Sequence, residues 1–212
     1  MRTVTDRLRR STMAPTTRPS ADEVVSETPT LEIRPAIAVH EPVGFATARG
    51  DEMGPEADRL RIAVADVRLE VFVGEQAVPF IQEIDARDEE PTTIHLLARG
   101  ADGTPLGAGR ILMERAHPGR VHLGRLAVRR VARGTGLGAR VVVALEQAAL
   151  SHSCRPCVEV VLSAQEQAMG FYERCGYRVL NGRRYLDAGI WHQDMARTVS
   201  SVSAEKSSGS TA

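Results

Sequence analysis

The residues of this chain with the plainest chemical use are Arg133-Gly134-Thr135-Gly136-Leu137-Gly138, a glycine-rich run between an apolar segment and an amphipathic one. At a helix amino end the first amides lack carbonyl partners and the dipole is positive, and glycines let a phosphate approach the backbone, so the run has the composition of an anion-binding turn. A flexible turn has the same composition. A P-loop needs Lys followed by Ser or Thr, and the one lysine, Lys206, lies near the C-terminus. Gly134-x-Gly136-x-x-Ala139 satisfies the dinucleotide fingerprint, but there the first glycine directly follows its strand, and here Arg129 to Arg133 intervene. Too little sequence follows the run for a doubly wound cofactor domain. His152-x-Cys154-x-x-Cys157 has the look of a metal corner or redox pair. It lacks the second cysteine pair of a closed zinc site, and Cys175 falls on a different predicted helix, so no metal is expected.

The elements that must position these residues follow from periodicity. Val43 to Ala48 reads as a first strand, and Pro55 to Phe72 as a helix, opened by Gly54-Pro55 and striped by Leu60, Val64, Val67 and Val71. The acid-rich stretch 74–92 reads as a surface loop or short helix. Thr93 to Arg99 and Leu106 to Met113 flank the turn Gly100-Ala101-Asp102-Gly103 and predict a hairpin, and Arg120 to Val128 a further strand. After the glycine run, Leu137, Val141, Ala144, Leu145 and Ala148 keep a helical stripe. Val158 to Ser163 reads as a strand, Ala168 to Cys175 as a short helix ended by Gly176, and Tyr177 to Leu186 with Ile190 to Ala196 as a closing hairpin. The order β-α-(loop)-β-β-β-α-β-α-β-β predicts an α/β fold with a mixed sheet and flanking helices.

The 212 residues are 42% hydrophobic and 25% charged, which suits one folded domain with tails. The domain is expected over 42–197, with disordered tails at 1–41, rich in Ser, Thr, Pro and Arg, and at 198–212, with six serines. The 27 basic residues balance 27 acidic ones, which argues against a nucleic-acid binder, and no run approaches the ~18 apolar residues of a membrane span. Three cysteines, an odd number without an apolar leader, point to the cytoplasm.

Arg133-x-x-Gly136-x-Gly138 after a fourth strand resembles the diphosphate motif of the GNAT superfamily of N-acetyltransferases. Gln165-x-x-Ala168-x-x-Phe171-Tyr172-x-x-x-Gly176-Tyr177 resembles its second signature, with Gln165 where Asn is usual. Arg68-x-x-Val71-Phe72-Val73-x-Glu75-Gln76, Glu83-Ile84-Asp85-x-x-Asp88, His95 and Gly124-Arg125-Leu126-Ala127-Val128 resemble the ElaA/YjcF-like branch. The resemblance covers about residues 43–197. It implies a central, mostly antiparallel sheet of about seven strands with the fourth and fifth splayed apart. It implies that the pantetheine arm of acetyl-CoA lies along Leu126, Ala127 and Val128, and that the diphosphate meets Arg133, Gly134, Thr135, Gly136, Leu137 and Gly138, with Gln165, Ala168 and Tyr172 also at the cofactor.

In the family pattern Tyr172 protonates the departing thiolate, a role within reach of a phenol whose unperturbed pKa is about 10. A protonated amine must also lose a proton before it attacks, and the base candidates are Glu75, His95, His122 and His192. Glu75, Glu83, Asp85 and Asp88 either line a site for a cationic acceptor or form a solvated acidic loop. The expected activity is transfer of an acetyl group from acetyl-CoA to a primary amine, on a small molecule or a protein, by direct attack in a ternary complex. The protein is expected to act as a monomer or homodimer. The competing reading is a non-catalytic acyl-CoA-binding module on the same fold.

Overall fold

Seven strands in the order β1-β2-β3-β4-β5-β7-β6 make one sheet, antiparallel throughout except for the parallel pair β4 and β5. The structure, a computed structural model, describes residues 42–83 and 85–201. The tail expected at 1–41 lies outside the described residues, as do residues 202–212 of the tail expected at 198–212. Strands β1 (Gly44–Arg49), β2 (Thr93–Arg99), β3 (Pro105–Met113) and β4 (Arg120–Val128) form a meander. Helix α3 (Leu137–His152) crosses from β4 to β5 (Cys157–Gln165), and the short α4 (Met169–Arg174) leads to β6 (Arg178–Asp187) and β7 (Ile190–Ser200).

Helices cover both faces of β2 and β3, so these strands are buried residue after residue rather than alternately. Ile94, Leu96, Leu106 and Ile111 pack with Val141 and Leu145 of α3. On the other face Leu97, Ala108 and Ala127 meet the expected stripe Leu60, Val64, Val67 and Val71 of α1 (Pro55–Arg68) and its continuation. That helix departs from expectation after Arg68. Leu69–Glu75 is a π-helix, closed by the Gln76 amide on the Val71 carbonyl at 3.2 Å. The wider turn alters the facing of the residues that follow, and Phe72 and Gln76 come to line a cleft while Val71 stays in the core.

Two irregularities in β4 open the sheet. Pairing with β5 runs from Arg120 opposite Glu159 to Leu123 opposite Leu162 and stops, although both strands continue. On the β3 side Ala108 pairs with Ala127 and Arg110 with Gly124, so Arg125 and Leu126 together oppose Gly109. This is a β-bulge, with Arg125 at a left-handed φ of 52°.

Several sequence expectations need correction. Stretch 74–92 takes the short-helix alternative, with α2 (Phe80–Glu83) and a 3-10 turn at Ala86–Glu89, but it does not lie wholly on the surface, since Glu83 is buried. Strand β5 extends to Gln165, and β7 continues to Ser200 rather than ending near 196 or 197. The two pair from Cys157 opposite Ser200 to Gln165 opposite His192, and Val199 is buried in the core.

Candidate active site

The gap between the diverging ends of β4 and β5 is a cleft of about 370 Å3. Leu123, Gly124, Arg125 and Leu126 form one side and Ser163 and Gln165 the other. Phe72, Gln76, Val78, Gln82 and Glu83 close it from the helical segments, Ala168, Phe171 and Tyr172 from the α4 region, and Asp187, Ala188, Ile190 and His192 from the last hairpin. Past Leu123 the β5-facing edge of β4 has no strand partner, so an extended ligand with amide groups can bond along it.

The glycine turn leads from the end of β4 into α3. Gly134 and Gly136 have φ of 77° and 80°, and a Cβ on either would meet nothing within 4 Å, so their need for glycine is conformational and the space above them is open. Among the described residues the amides of Gly134 to Gly138 donate to no carbonyl, which leaves a row of donors at the positive end of a 16-residue helix. These residues fit a diphosphate. Gly138 is needed for a different reason: a Cβ there would lie 3.2 Å from the Phe171 ring. Leu137 presents only its backbone at the turn, because its side chain is in the core. Thr135 Oγ1 donates to the Ala132 carbonyl at 2.7 Å. Arg133 is not turned freely to the turn it begins; Nε donates to the Val128 carbonyl at 2.8 Å and Nη1 lies 2.7 Å from the Glu75 carboxylate.

Tyr172 lies on the cleft wall with its ring edge-on to Phe171 and Tyr177, at centroid distances of 5.0 and 5.9 Å. Burial, with a smaller contribution from nearby Cys175, pushes its hydroxyl well above the ordinary tyrosine range, so it stays protonated. Gln165 is engaged on both sides of its amide, donating to Gln76 Oε1 at 3.0 Å and accepting from Gln167 at 3.0 Å. It therefore ties the end of β5 to the segment after the π-helix. Ala168 lines the cleft; Ala127 packs instead with the α1 core, and Val128 lies partly buried against the α3 core.

Of the four base candidates, the cleft contains one. His192 is mostly buried, and its Nδ1 donates to the Ile190 carbonyl at 2.8 Å, which leaves Nε2 as the ring nitrogen that can take up a proton. His122 is on the outer part of β4, with Nε2 against the Glu114 carboxylate. His95 is buried in β2 with Nε2 donating to the Asp88 carbonyl at 2.8 Å and Nδ1 without a partner among the described residues. Burial holds its imidazole below the usual histidine range. Glu75 carries ion pairs to Arg133 and, at 3.8 Å, to Arg130.

The acidic residues of 83–88 are neither a solvated loop nor an open cation site. Arg68 Nε donates to Glu83 Oε1 at 2.5 Å and its Nη1 lies 3.0 Å from Asp88. Arg110 Nη1 bonds Asp85 at 2.8 Å and Asp88 at 2.7 Å, and Arg125 reaches the Gln82 carbonyl at 3.1 Å and Glu83 at 3.3 Å. Three arginines thus neutralise three carboxylates. Burial alone would raise the Asp85 carboxyl, but the Arg87 amide, the Arg110 bond and the charges of Arg110 and Arg125 outweigh it and hold it below the usual range. The segment is fastened to the sheet by charge, and the strained Arg125 links it to the bulge.

Side chains that sequence reasoning did not single out also line or adjoin the cleft: Gln82, Asp187 and Ser163, and behind Ser163 the pair Tyr185 and Asp194. No motif marks them, and only the register of β5, β7 and β6 would have placed Ser163, Asp194 and Tyr185 on one face with His192. None of the three cysteines lines the cleft. His152 Nδ1 donates to the Ala148 carbonyl, and no cluster of three potential metal ligands occurs among the described residues.

A sheet split between parallel fourth and fifth strands, beside a glycine turn that caps the crossover helix, defines the acyl-CoA N-acyltransferase fold. Comparisons with known proteins agree. Residues 60–199 match the acetyltransferase (GNAT) domain, and the chain belongs to that family, in its ElaA/YjcF-like branch. It is 40% identical over 131 residues to the uncharacterized N-acetyltransferase YjcF of Bacillus subtilis, a match that spans 62% of this chain and 87% of YjcF. Among solved structures, an acyl-CoA N-acyltransferase from Pseudomonas aeruginosa superposes with a TM-score of 0.62 at 31% identity, over 74% of this chain and 99% of that one. ElaA of Escherichia coli gives a TM-score of 0.62 at 26% identity, over the same shares.

Proposed function

We propose that the protein transfers an acetyl group from acetyl-CoA to a primary amine by direct attack in a ternary complex. The observation that carries this reading is the presence of a protonated phenol, Tyr172, and the imidazole of His192 on the walls of one cleft between β4 and β5, with the free amides of 134–138 in the turn that follows β4. The bound thioester supplies an electrophilic carbonyl carbon and a thiolate leaving group. His192 Nε2 takes the proton of the acceptor ammonium, the amine nitrogen forms the new bond to carbon, and the carbon–sulfur bond breaks. Tyr172 donates to the departing sulfur, and the second proton, shed by the acylated nitrogen as it becomes an amide, restores the phenol. The same apolar wall that raises the Tyr172 hydroxyl also raises the proton affinity of a desolvated thiolate, which keeps the two groups matched. Direct attack is supported by the absence of cysteine from the cleft lining.

Two measurements test the proposal. Acetyl-CoA and CoA are expected to raise the melting temperature while NAD and ATP do not, because ligand binding to the folded state stabilises by mass action. CoA release should follow addition of an amine from a panel of small amines and peptides. Equal thermal shifts with NAD would refute the cofactor assignment, and binding without CoA release across the panel would identify an acyl-CoA-binding module.

A further inference from the structure

Beyond the two groups assigned to chemistry, the cleft has a polar constellation on its β5-β7-β6 side. Tyr185 of β6 and His192 of β7 are directly opposite cross-strand partners and so share a face. Their rings stack at a centroid separation of 6.0 Å and an interplanar angle of 19°. Tyr185 donates its hydroxyl proton to Asp194 Oδ1 at 2.6 Å and accepts from Ser163 Oγ, and Ser163 faces Asp194 across the β5-β7 pair. Burial and the bond to Asp194 both push the Tyr185 hydroxyl up, with Ser163 opposing, so the donor proton stays on the phenol. A phenol that donates to a carboxylate gains electron density in its ring, and the face of that ring is what the imidazole meets.

His192 is therefore held twice, by the Ile190 carbonyl at Nδ1 and by the ring of Tyr185. We propose that Tyr185 is a positioning residue for acetyl transfer, its Asp194-polarised ring orienting His192 and stabilising the imidazolium that forms when Nε2 takes the acceptor's proton. This rests on the reading of His192 as the base. The proton moves from the ammonium nitrogen to Nε2 and later to solvent, and no bond of Tyr185 breaks. The other charged or titratable groups that share the cleft or the strand with His192 are Asp187 from the hairpin turn, Asp194 along β7, Tyr172 from α4, and Arg125 and Glu83. Arg125 and Glu83 offset each other at 3.3 Å, and an electron-rich ring face favours an imidazolium stacked on it.

The test is an NMR titration of the His192 imidazole, assigned by its disappearance in His192→Gln, together with pH profiles of kcat/KM. In Tyr185→Leu the His192 midpoint is expected to fall by about 0.5 pH unit, the size of a lost cation–π contact, with the acid limb of kcat/KM moving with it and the KM for acetyl-CoA unchanged. Tyr185→Phe keeps the stack but loses the polarisation, and should shift the midpoint less. An unmoved midpoint in folded Tyr185→Leu overturns the proposal. Should that variant fail to fold, Tyr185→Phe and Asp194→Asn decide: a downward shift in both supports the polarised ring, and none in either overturns it. Full turnover of His192→Gln at every pH would defeat the base assignment and the role of Tyr185 with it. An inactive His192→Gln beside an unmoved midpoint would defeat the role of Tyr185 alone.

Discussion

Glu83→Gln separates a structural role for the acidic segment from a substrate-binding one. The Glu83 side chain is 3% exposed and receives Arg68 Nε at 2.5 Å, with Arg125 Nε at 3.3 Å. Neutralising it changes the charge balance of Arg68, Arg110, Arg125, Glu83, Asp85 and Asp88 from zero to +1. Breaking a buried pair by removing one partner costs about 3–5 kcal/mol when the remaining charge is orphaned. Arg68 is not wholly orphaned, because it keeps Asp88 at 3.0 Å and the Glu83 carbonyl at 3.0 Å, and the glutamine still offers an acceptor oxygen. The expected loss is therefore roughly 2 kcal/mol, read from urea unfolding with an unchanged slope. Gln82 and Glu83 are also part of the cleft wall, so the KM for the amine should rise several-fold, while the KM for acetyl-CoA should stay within about two-fold. Stability within about 0.5 kcal/mol of the parent, joined to a collapse of amine binding alone, would refute the reasoning and make Glu83 a ligand for a cationic acceptor.

Tyr172→Phe keeps the ring and its edge contacts but deletes the proton, so turnover should fall by about 10²-fold or more with the acetyl-CoA KM nearly intact; full turnover with chemistry rate-limiting would return Tyr172 to the core. Gly138→Ala should displace Phe171 and raise the acetyl-CoA KM, whereas Gly136→Ala, with open space around it, should cost about 1 kcal/mol through its left-handed backbone, as unfolding and steady-state kinetics would show. The unfolded chain takes up a proton on His95 near pH 6.5, while the folded chain resists it because of burial, so stability should fall as pH drops below about 6.5 and His95→Gln should flatten that slope in pH-dependent unfolding. A chain ended at Arg197 should melt below one ended at Ser201, because it lacks the Val199 opposite Val158 that the core buries.

Local information sufficed where one element carries its own signal. The stripe of α1, the glycine turn before α3 and the hairpin turns have their chemistry in adjacent residues, so their type and order are readable along the chain. Extended strand ends were harder: Ser200 and Gln165 belong to strands because β7 and β5 pair with each other over their full length, a long-range fact. The π-helix at Leu69–Glu75 was equally hidden, since a helical stripe does not distinguish a normal turn from a widened one.

At the site, composition and motif spacing by themselves gave an anion-binding turn, and the class of chemistry came from the resemblance of that turn and of the Tyr172 signature to the GNAT family. They left four base candidates and favoured His122, on the fourth strand, over His192, because a histidine's use depends on what surrounds it. Only the tertiary structure decided that His192 enters the cleft while His95 is sealed under Asp88 and His122 sits against Glu114. It also decided that the acids at 83, 85 and 88 are spent on arginines 68, 110 and 125, from three different elements. Charge neutralisation and hydrogen-bond direction act over a few ångströms between residues far apart in sequence, and strand register together with the β4 bulge sets those distances.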